Sequence, residues 1–356
     1  MDDTTRTPDA PEQEQGTEQR RTYEDGFGPN TIQEEVVLDV KDLRTYFTTR
    51  WGTVKAVDGV SYHVKKGETL GVVGESGSGK SVTALSIMRL VPSPPGHIVG
   101  GEVILNGRDI LQLSEDQMTK VRGGEIAMIL QDPMSALNPV FTIENQVGEA
   151  IQIHQGLKGR SLWDKVVDAL KKVRIPAAET RAKDYPHQLS GGMRQRVVGA
   201  IGISSEPAVI IADEPTTSLD VTIQAAYLRL LRQIQSEEGA AIIFITHDFG
   251  IVAKMCDRVA VMYAGRIVET GDVRQIFNTP QHPYTHALIE SVPKLEEKTG
   301  RLLQIEGQPP LLYNLPPGCP FAPRCTRVID RCREEYPPTE TAGTDHIFNC
   351  WNPVPH

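Results

Sequence analysis

Short, wholly apolar runs alternate with longer helical patterns over most of the chain, and this alternation sets the expected fold. Val36-Val37-Leu38-Asp39-Val40 and Gly59-Val60-Ser61-Tyr62-His63-Val64 read as strands. Gly67 marks a turn, and Thr69-Leu70-Gly71-Val72-Val73 follows as a short strand that runs into a glycine-rich stretch, with Ser81 to Leu90 continuing as a helix. Ile126 to Leu130, Val209 to Ala212 and Ile242 to Ile245 are apolar runs of strand length, the last two separated by a helix near Thr222 to Ser236. Between Thr142 and Tyr185 the pattern is mostly helical, as in Leu162 to Val173. Buried strands alternating with helices predict an α/β fold with a mainly parallel core sheet. The two early strands predict an antiparallel addition at one side. No internal repeat is visible, so one such unit is expected.

The flanks differ from this centre. Residues 1–33 are rich in Asp, Glu, Gln, Thr and Pro with almost no aliphatic residues, and they predict a disordered acidic tail. Past Gly271 proline becomes frequent and periodicity fades, which sets residues 272–356 apart from 34–271 as a small C-terminal appendage. A unit of that size needs a staple to hold itself together.

Composition narrows the class. With 39% hydrophobic and 23% charged residues the 356-residue chain reads as an ordinary soluble globular protein. A net charge of -9 without a basic stripe argues against a nucleic-acid partner. No apolar run approaches the ~18 residues of a membrane span, and the opening Met1-Asp2-Asp3 lacks a signal-peptide pattern. A cytoplasmic protein is expected, with docking on a membrane protein left open.

The candidate chemistry lies at the strand ends. Gly74-Glu75-Ser76-Gly77-Ser78-Gly79-Lys80-Ser81 fits G-x-x-x-x-G-K-[ST], and the expected nucleotide cradle extends to Val82. Its glycines let backbone amides turn toward phosphate oxygens, Lys80 reaches the β- and γ-phosphates, and Ser81 offers a hydroxyl to Mg²⁺. Asp213 and Glu214 end an apolar strand; Asp213 suits the Mg²⁺ hydration shell and Glu214 suits polarisation of an attacking water. Gln131 and His247 directly follow two more strands, where ligands of parallel sheets bind. Leu189-Ser190-Gly191-Gly192-Met193 opens a helical run and makes a second anion-binding helix start. An enzyme working alone needs only one, so half-sites completed by another subunit are expected.

Cys256 stands alone in an apolar context and reads as a small core residue. Cys319, Cys325, Cys332 and Cys350 crowd into the appendage without the paired knuckles usual for structural zinc. A [4Fe–4S] cluster, zinc, or no metal are all compatible with that spacing.

With these residues in place the chain resembles the ATP-binding cassette (ABC) ATPases over about Val36 to Gly271. The P-loop, the Gln131 loop, the signature Leu189 to Gln195, the Asp213-Glu214 pair, the Ser218-Leu219-Asp220 loop and the His247 switch occur in family order. The resemblance implies a P-loop ATPase fold with an antiparallel β subdomain, a helical subdomain at about 135–190 and a small irregular Cys-rich C-terminal domain. It implies that Phe47, with Tyr46 as alternative, stacks on adenine. It also implies that Glu214 is the general base, that His247 contacts the γ-phosphate, and that Gln131 senses Mg²⁺ and the attacking water. Ser190, Gly191, Gly192 and Asp220 would serve ATP held by a partner's P-loop. Gln131-Asp132-Pro133-Met134-Ser135-Ala136-Leu137-Asn138-Pro139, Pro280-Gln281-His282-Pro283-Tyr284-Thr285 and Gly318-Cys319-Pro320-Phe321-Ala322-Pro323-Arg324-Cys325 are similar to the ATPases of di- and oligopeptide importers. That likeness implies two permease subunits, a second and paralogous ATPase subunit, and an extracytoplasmic binding protein, with this chain on the cytoplasmic face of the membrane. It favours a [4Fe–4S] cluster on the four cysteines, with zinc as the alternative. Relatives with the same tail carry nickel, haem or oligosaccharide, so those cargoes are the alternatives to peptides. A non-transport ABC ATPase is disfavoured because tandem cassettes, long coiled-coil insertions and basic arms are missing.

Overall fold

The computed structural model describes residues 32–217, 219–292 and 304–356. Most of the expected N-terminal tail, and Ser218, lie outside the described residues. Along the chain the strands and helices are β1 (Val36–Thr49), β2 (Gly52–Lys65), β3 (Thr69–Val73), α1 (Lys80–Ile87), β4 (Gly96–Leu105), β5 (Arg108–Asp109), α2 (Glu115–Val121) and β6 (Ile126–Ile129). Then come α3 (Pro133–Ala136), α4 (Ile143–Gln155), α5 (Gly159–Lys172), α6 (Ala178–Arg181), α7 (Gly191–Ile203), β7 (Val209–Asp213), α8 (Val221–Glu238), β8 (Ala241–Thr246), α9 (Phe249–Met255), β9 (Arg258–Tyr263) and β10 (Arg266–Asp272). The C-terminal part adds α10 (Val273–Asn278), α11 (Pro283–Glu290), α12 (Arg331–Glu334), β11 (Glu340–Thr341) and β12 (Ile347–Phe348).

Two sheets result. One is four-stranded in the order β2-β1-β4-β5, antiparallel throughout. The other is eight-stranded in the order β11-β12-β10-β9-β3-β8-β7-β6. Its centre, β9-β3-β8-β7-β6, is parallel, whereas β10, β12 and β11 join antiparallel. The core sheet is therefore mixed, because the return from β9 to β10 is a tight reversal at Ala264-Gly265. The appendage extends this sheet: β12 pairs with β10 at Glu269–Phe348 and Thr270–Ile347.

The parallel strands are apolar except at their ends, as at Thr69, Asp213, Thr246 and Arg258, because both faces are covered. Ile210, Ile242 and Phe244 pack with residues of α4, α5, α7, α8 and α9 on one side. Ile211, Ile243 and Ile245 pack with β1, β2 and α1 on the other. Cys256 is fully buried in the first of these layers. β4, broken by three glycines and absent from the sequence expectation, completes the antiparallel sheet by pairing along β1. Leu130 falls just outside β6 and is 42% exposed, so the apolar run there overshoots the strand by one residue. No helix of the described residues is long and apolar enough to cross a membrane.

Candidate nucleotide site

Core strand β3 delivers the chain into the phosphate loop, and α1 begins at Lys80. The loop needs glycine for space as well as for dihedral freedom. At Gly74, with φ 153°, an added Cβ would lie 2.1 Å from the Met262 carbonyl oxygen, and at Gly79, with φ 108°, 2.2 Å from that of Ala56. Lys80 is 6% exposed. Its Nζ donates to the carbonyls of Gly74 at 2.8 Å and Glu75 at 3.0 Å. Burial lowers the pKa of its ammonium, and the carboxylates of Glu214, Asp213 and Glu75 oppose that. Ser78 Oγ is buried in the loop with no protein hydrogen-bond partner, so this loop holds a donor that a bound phosphate oxygen would satisfy.

The carboxyl ends of the parallel strands face this loop. Ser81 Oγ donates to Asp213 Oδ1 at 3.1 Å. Burial pushes the Asp213 carboxyl up, the Ser81 hydroxyl opposes it, and the charge of Glu214 adds to it. Two hard oxygen donors this close fit the chemistry of a Mg²⁺ site. Glu214 Oε2 accepts from Gln131 Nε2 at 3.0 Å and from Thr217 Oγ1 at 3.2 Å, and Glu214 Oε1 lies 3.1 Å from His247 Nδ1. The structure thus brings together Gln131, Glu214 and His247, which stand far apart in sequence. Glu214 holds a left-handed backbone with φ 46°, a strained choice for a non-glycine residue.

The second glycine-rich start belongs to α7. Ser190 caps it, Oγ accepting from the Met193 N–H at 3.4 Å. A Cβ at Gly192 would approach Ile223 Cγ2 at 2.9 Å, which sets the starts of α7 and α8 side by side. Asp220 caps α8, accepting from the N–H groups of Thr222 at 3.1 Å and Ile223 at 3.0 Å. Both residues therefore have capping work inside the chain, and their hydrogen bonds are to their own helices.

Of the two candidate aromatics, Tyr46 is engaged elsewhere: its hydroxyl donates to Asp58 Oδ1 at 2.6 Å. Phe47 is half-buried on β1, against Gly96, where an added Cβ would sit 2.7 Å from its ring.

The four C-terminal cysteines line one small cavity together with His282, Phe321, Arg327 and Trp351. None is in a disulfide. Burial pushes the thiols of Cys319 and Cys350 up to about 11 and about 12. Among the described residues no group of three or more His, Cys, Asp or Glu side chains is drawn together closely enough to hold a metal ion. The cavity gathers the expected ligands without closing them into a metal-binding geometry.

Sequence reasoning missed the residues that tie this lobe to the core. Buried Glu269 of β10 accepts from the backbone N–H groups of Gln281 and His282 at 2.7 and 2.8 Å and lies 2.7 Å from His346 Nε2. His282 in turn caps α11, its Nδ1 accepting from the Tyr284 N–H at 3.1 Å. Tyr284 and Arg324 both end on Glu75 of the phosphate loop. His282, Tyr284 and Arg324 stood in the segments already singled out, but no local pattern coupled them to Glu269 or to Glu75, although a buried carboxylate needs partners.

Comparison with known proteins agrees with this geometry. A family model described as "ABC transporter" matches residues 57–217, and one described as "Oligopeptide/dipeptide transporter, C-terminal region" matches residues 268–332. The chain is 50% identical over 318 residues to a probable peptide ABC transporter ATP-binding protein of Sinorhizobium fredii, covering 89% of this chain and 95% of the relative. It is 48% identical to the dipeptide transport ATP-binding protein DppD of Bacillus subtilis, with the same coverage. Identity to the oligopeptide transport ATP-binding protein OppD of that organism is also 48%, covering 88% of each chain. Among solved structures, the dimeric post-hydrolysis state of the ATP-binding cassette MJ0796, bound to ADP and Pi, is similar with a TM-score of 0.60. That match is 27% identical and covers 67% of this chain and 99% of that one.

Proposed function

The chain belongs to the ABC transporter family, in its branch of dipeptide and oligopeptide importers, and on that premise we propose how its residues do the work. It is the ATP-binding subunit of a peptide importer and hydrolyses ATP to drive transport. ATP lies with its phosphates in the cradle Gly74 to Val82, Lys80 against the β- and γ-phosphates, and its adenine on Phe47. Tyr46 is the weaker candidate because Asp58 holds its hydroxyl. Ser81 and Asp213, assisted by Gln131, would hold Mg²⁺, which would supply positive charge to offset that of the phosphates. Glu214 is the general base: it takes the proton of the attacking water while Gln131 and His247 fix its two carboxylate oxygens, and His247 is placed for the γ-phosphate.

The observation that carries this reading is the pair of contacts from Glu214 to Gln131 and His247 beside the Ser81–Asp213 pair. Glu214→Gln keeps the shape and removes the base. We expect it to bind ATP about as tightly as wild type, within roughly threefold, and to lose at least about 10²-fold in kcat, the usual weight of a general base. A Glu214→Gln transporter hydrolysing ATP at the wild-type rate would overturn the assignment.

Ser190, Gly191, Gly192 and Asp220 are proposed to complete the site of a second cassette. The dimeric assembly of the similar solved cassette supports this. The partner is proposed to be a paralogous ATPase subunit, and the pair to work on two permease subunits at the cytoplasmic face, with an extracytoplasmic protein delivering peptide. Purification of the complex with this chain as its sole ATPase would count against the paralogue. Residues 34–271 are taken as the cassette, with the helical subdomain at about 135–190, and 272–356 as a C-terminal domain set apart by its composition. In that domain Cys319, Cys325, Cys332 and Cys350 are proposed to hold a [4Fe–4S] cluster, with zinc as the alternative. The support is that four unpaired thiols share one cavity. Iron, sulfide and zinc analysis of the anaerobically purified chain decides it.

A further inference from the structure

Among the described residues, the four-cysteine lobe meets the phosphate loop at Glu75. Arg324 donates from Nη1 to Glu75 Oε2 at 2.7 Å and from Nη2 to Glu75 Oε1 at 3.0 Å, a bidentate fork. The Arg324 side chain is only 4% exposed and that of Glu75 28%. Its orientation is fixed from the lobe side: Nε donates to the Glu306 carbonyl at 3.1 Å and Nη2 to that of Ile305 at 3.4 Å. Nη1 also reaches the Tyr263 hydroxyl at 3.3 Å. Tyr284 grips the same loop residue, its hydroxyl accepting from the Glu75 N–H at 2.9 Å. The rings of Tyr263, Tyr284 and Phe321 pack mutually at 4.5 to 5.3 Å, so the grip is backed by a small aromatic cluster.

The phosphate loop meets its ligand through backbone amides at Glu75, and none of the phosphate, metal or water contacts proposed above uses the side chains of Glu75, Tyr284 or Arg324. Their effect on the loop is electrostatic as well as geometric. Glu75 places a carboxylate in a cradle built for a polyanion, and its charge is felt at Lys80. Left unpaired, that carboxylate repels the triphosphate and competes for the field of Lys80. The Arg324 fork cancels the charge at its source, and the two grips together hold the first turn of the loop.

We propose that Arg324, with Tyr284, is a positioning residue of the nucleotide site, supplied by the C-terminal lobe to neutralise Glu75 and hold the entry of the phosphate loop. This rests on the reading that Gly74 to Ser81 binds ATP. The lobe is then part of the ATP site and not an attachment beside it.

The test is equilibrium binding of ATP to the full chain, measured by displacement of a fluorescent ATP analogue. Arg324→Gln should raise Kd about tenfold, equivalent to about 1.4 kcal/mol. Adding Glu75→Gln to Arg324→Gln should bring Kd back to within about threefold of wild type, because the charge that needed cancelling is gone. A purely structural role for Arg324 gives no such recovery. The loss in Arg324→Gln should also shrink at high salt. Wild-type affinity in a folded Arg324→Gln chain overturns the proposal, as does a double variant as weak as Arg324→Gln alone. If Arg324→Gln does not fold, Arg324→Lys, which keeps the charge and loses the fork, decides instead. A Kd within about threefold of wild type supports the proposal, and a tenfold loss overturns it. Failure of the wild-type chain to bind ATP would overturn the nucleotide reading itself.

Discussion

Asp58 of β2 is 4% exposed and holds together two surfaces that belong to different sheets. Its carboxylate accepts from Tyr46 Oη at 2.6 Å and from Arg266 of β10 at 2.7 and 3.2 Å, while its own N–H donates to the Gly265 carbonyl at 2.8 Å. Burial works against its ionisation, yet the Tyr46 hydroxyl and the Arg266 guanidinium hold its carboxyl below the ordinary value of 3.8. A depressed carboxyl contributes stability that is present above its unfolded value and is lost as pH falls through the folded one. Asp58→Asn should therefore cost about 2 kcal/mol at neutral pH, and the gap to wild type should close in acid. Thermal melts at the two pH values check this, and a gap that persists undiminished in acid would rule out the ionic account. The residues proposed as catalytic, Gln131, Glu214 and His247, could be picked out one by one because each follows an apolar strand, and the strand ends of a parallel sheet converge. Phe47 was placed ahead of Tyr46 from the resemblance alone; the Asp58 contact that occupies the Tyr46 hydroxyl is announced by no local pattern.

At the scale of elements, the parallel strands could be read from the chain because burial on both faces makes them apolar except at their ends. β4 escaped because glycines interrupt it and its burial alternates irregularly; its strand character comes from pairing with β1. The C-terminal lobe was legible only as a composition shift. Its strands are two residues long and exist because they extend the edge at β10. A lobe this poor in regular structure needs a staple, and its four cysteines line one small cavity. If the cavity holds a cluster, anaerobically purified protein should carry about four iron and four sulfide per chain, the stoichiometry of a [4Fe–4S] group. Cys332→Ser should lose them and melt several degrees lower, since a ligand held only by the native state stabilises it. Wild-type chain with stoichiometric zinc and no iron would reject the cluster and leave zinc.

Over the whole molecule, the phosphate loop and the start of α7 are two anion sites of one chain that serve different nucleotides in this reading, and Gly191 offers a clean way to separate them. It is the first residue of α7, it does not have a positive φ, and a Cβ there would meet nothing within 4 Å. Glycine at an exposed helical position costs about 1 kcal/mol relative to better helix formers, and no packing contact among the described residues requires it here. A close approach from outside does: the partner's ATP would pass directly over this backbone. The contact between Arg324 and Glu75, 249 residues apart, runs the opposite way, tying the lobe to the chain's own loop, and no spacing in the sequence announces it. Gly191→Arg should then fold at least as stably as wild type and bind ATP at its own loop with unchanged Kd. In the assembled transporter the added side chain should obstruct the partner's nucleotide, and ATP hydrolysis should fall by at least about tenfold if the lost contact is an ordinary charge-assisted hydrogen bond. Melting curves and ATP titration of the single subunit, set beside ATPase rates of the complex, separate the two sites. Wild-type turnover in a Gly191→Arg transporter would mean that the glycine faces solvent and that this chain lends nothing to its neighbour.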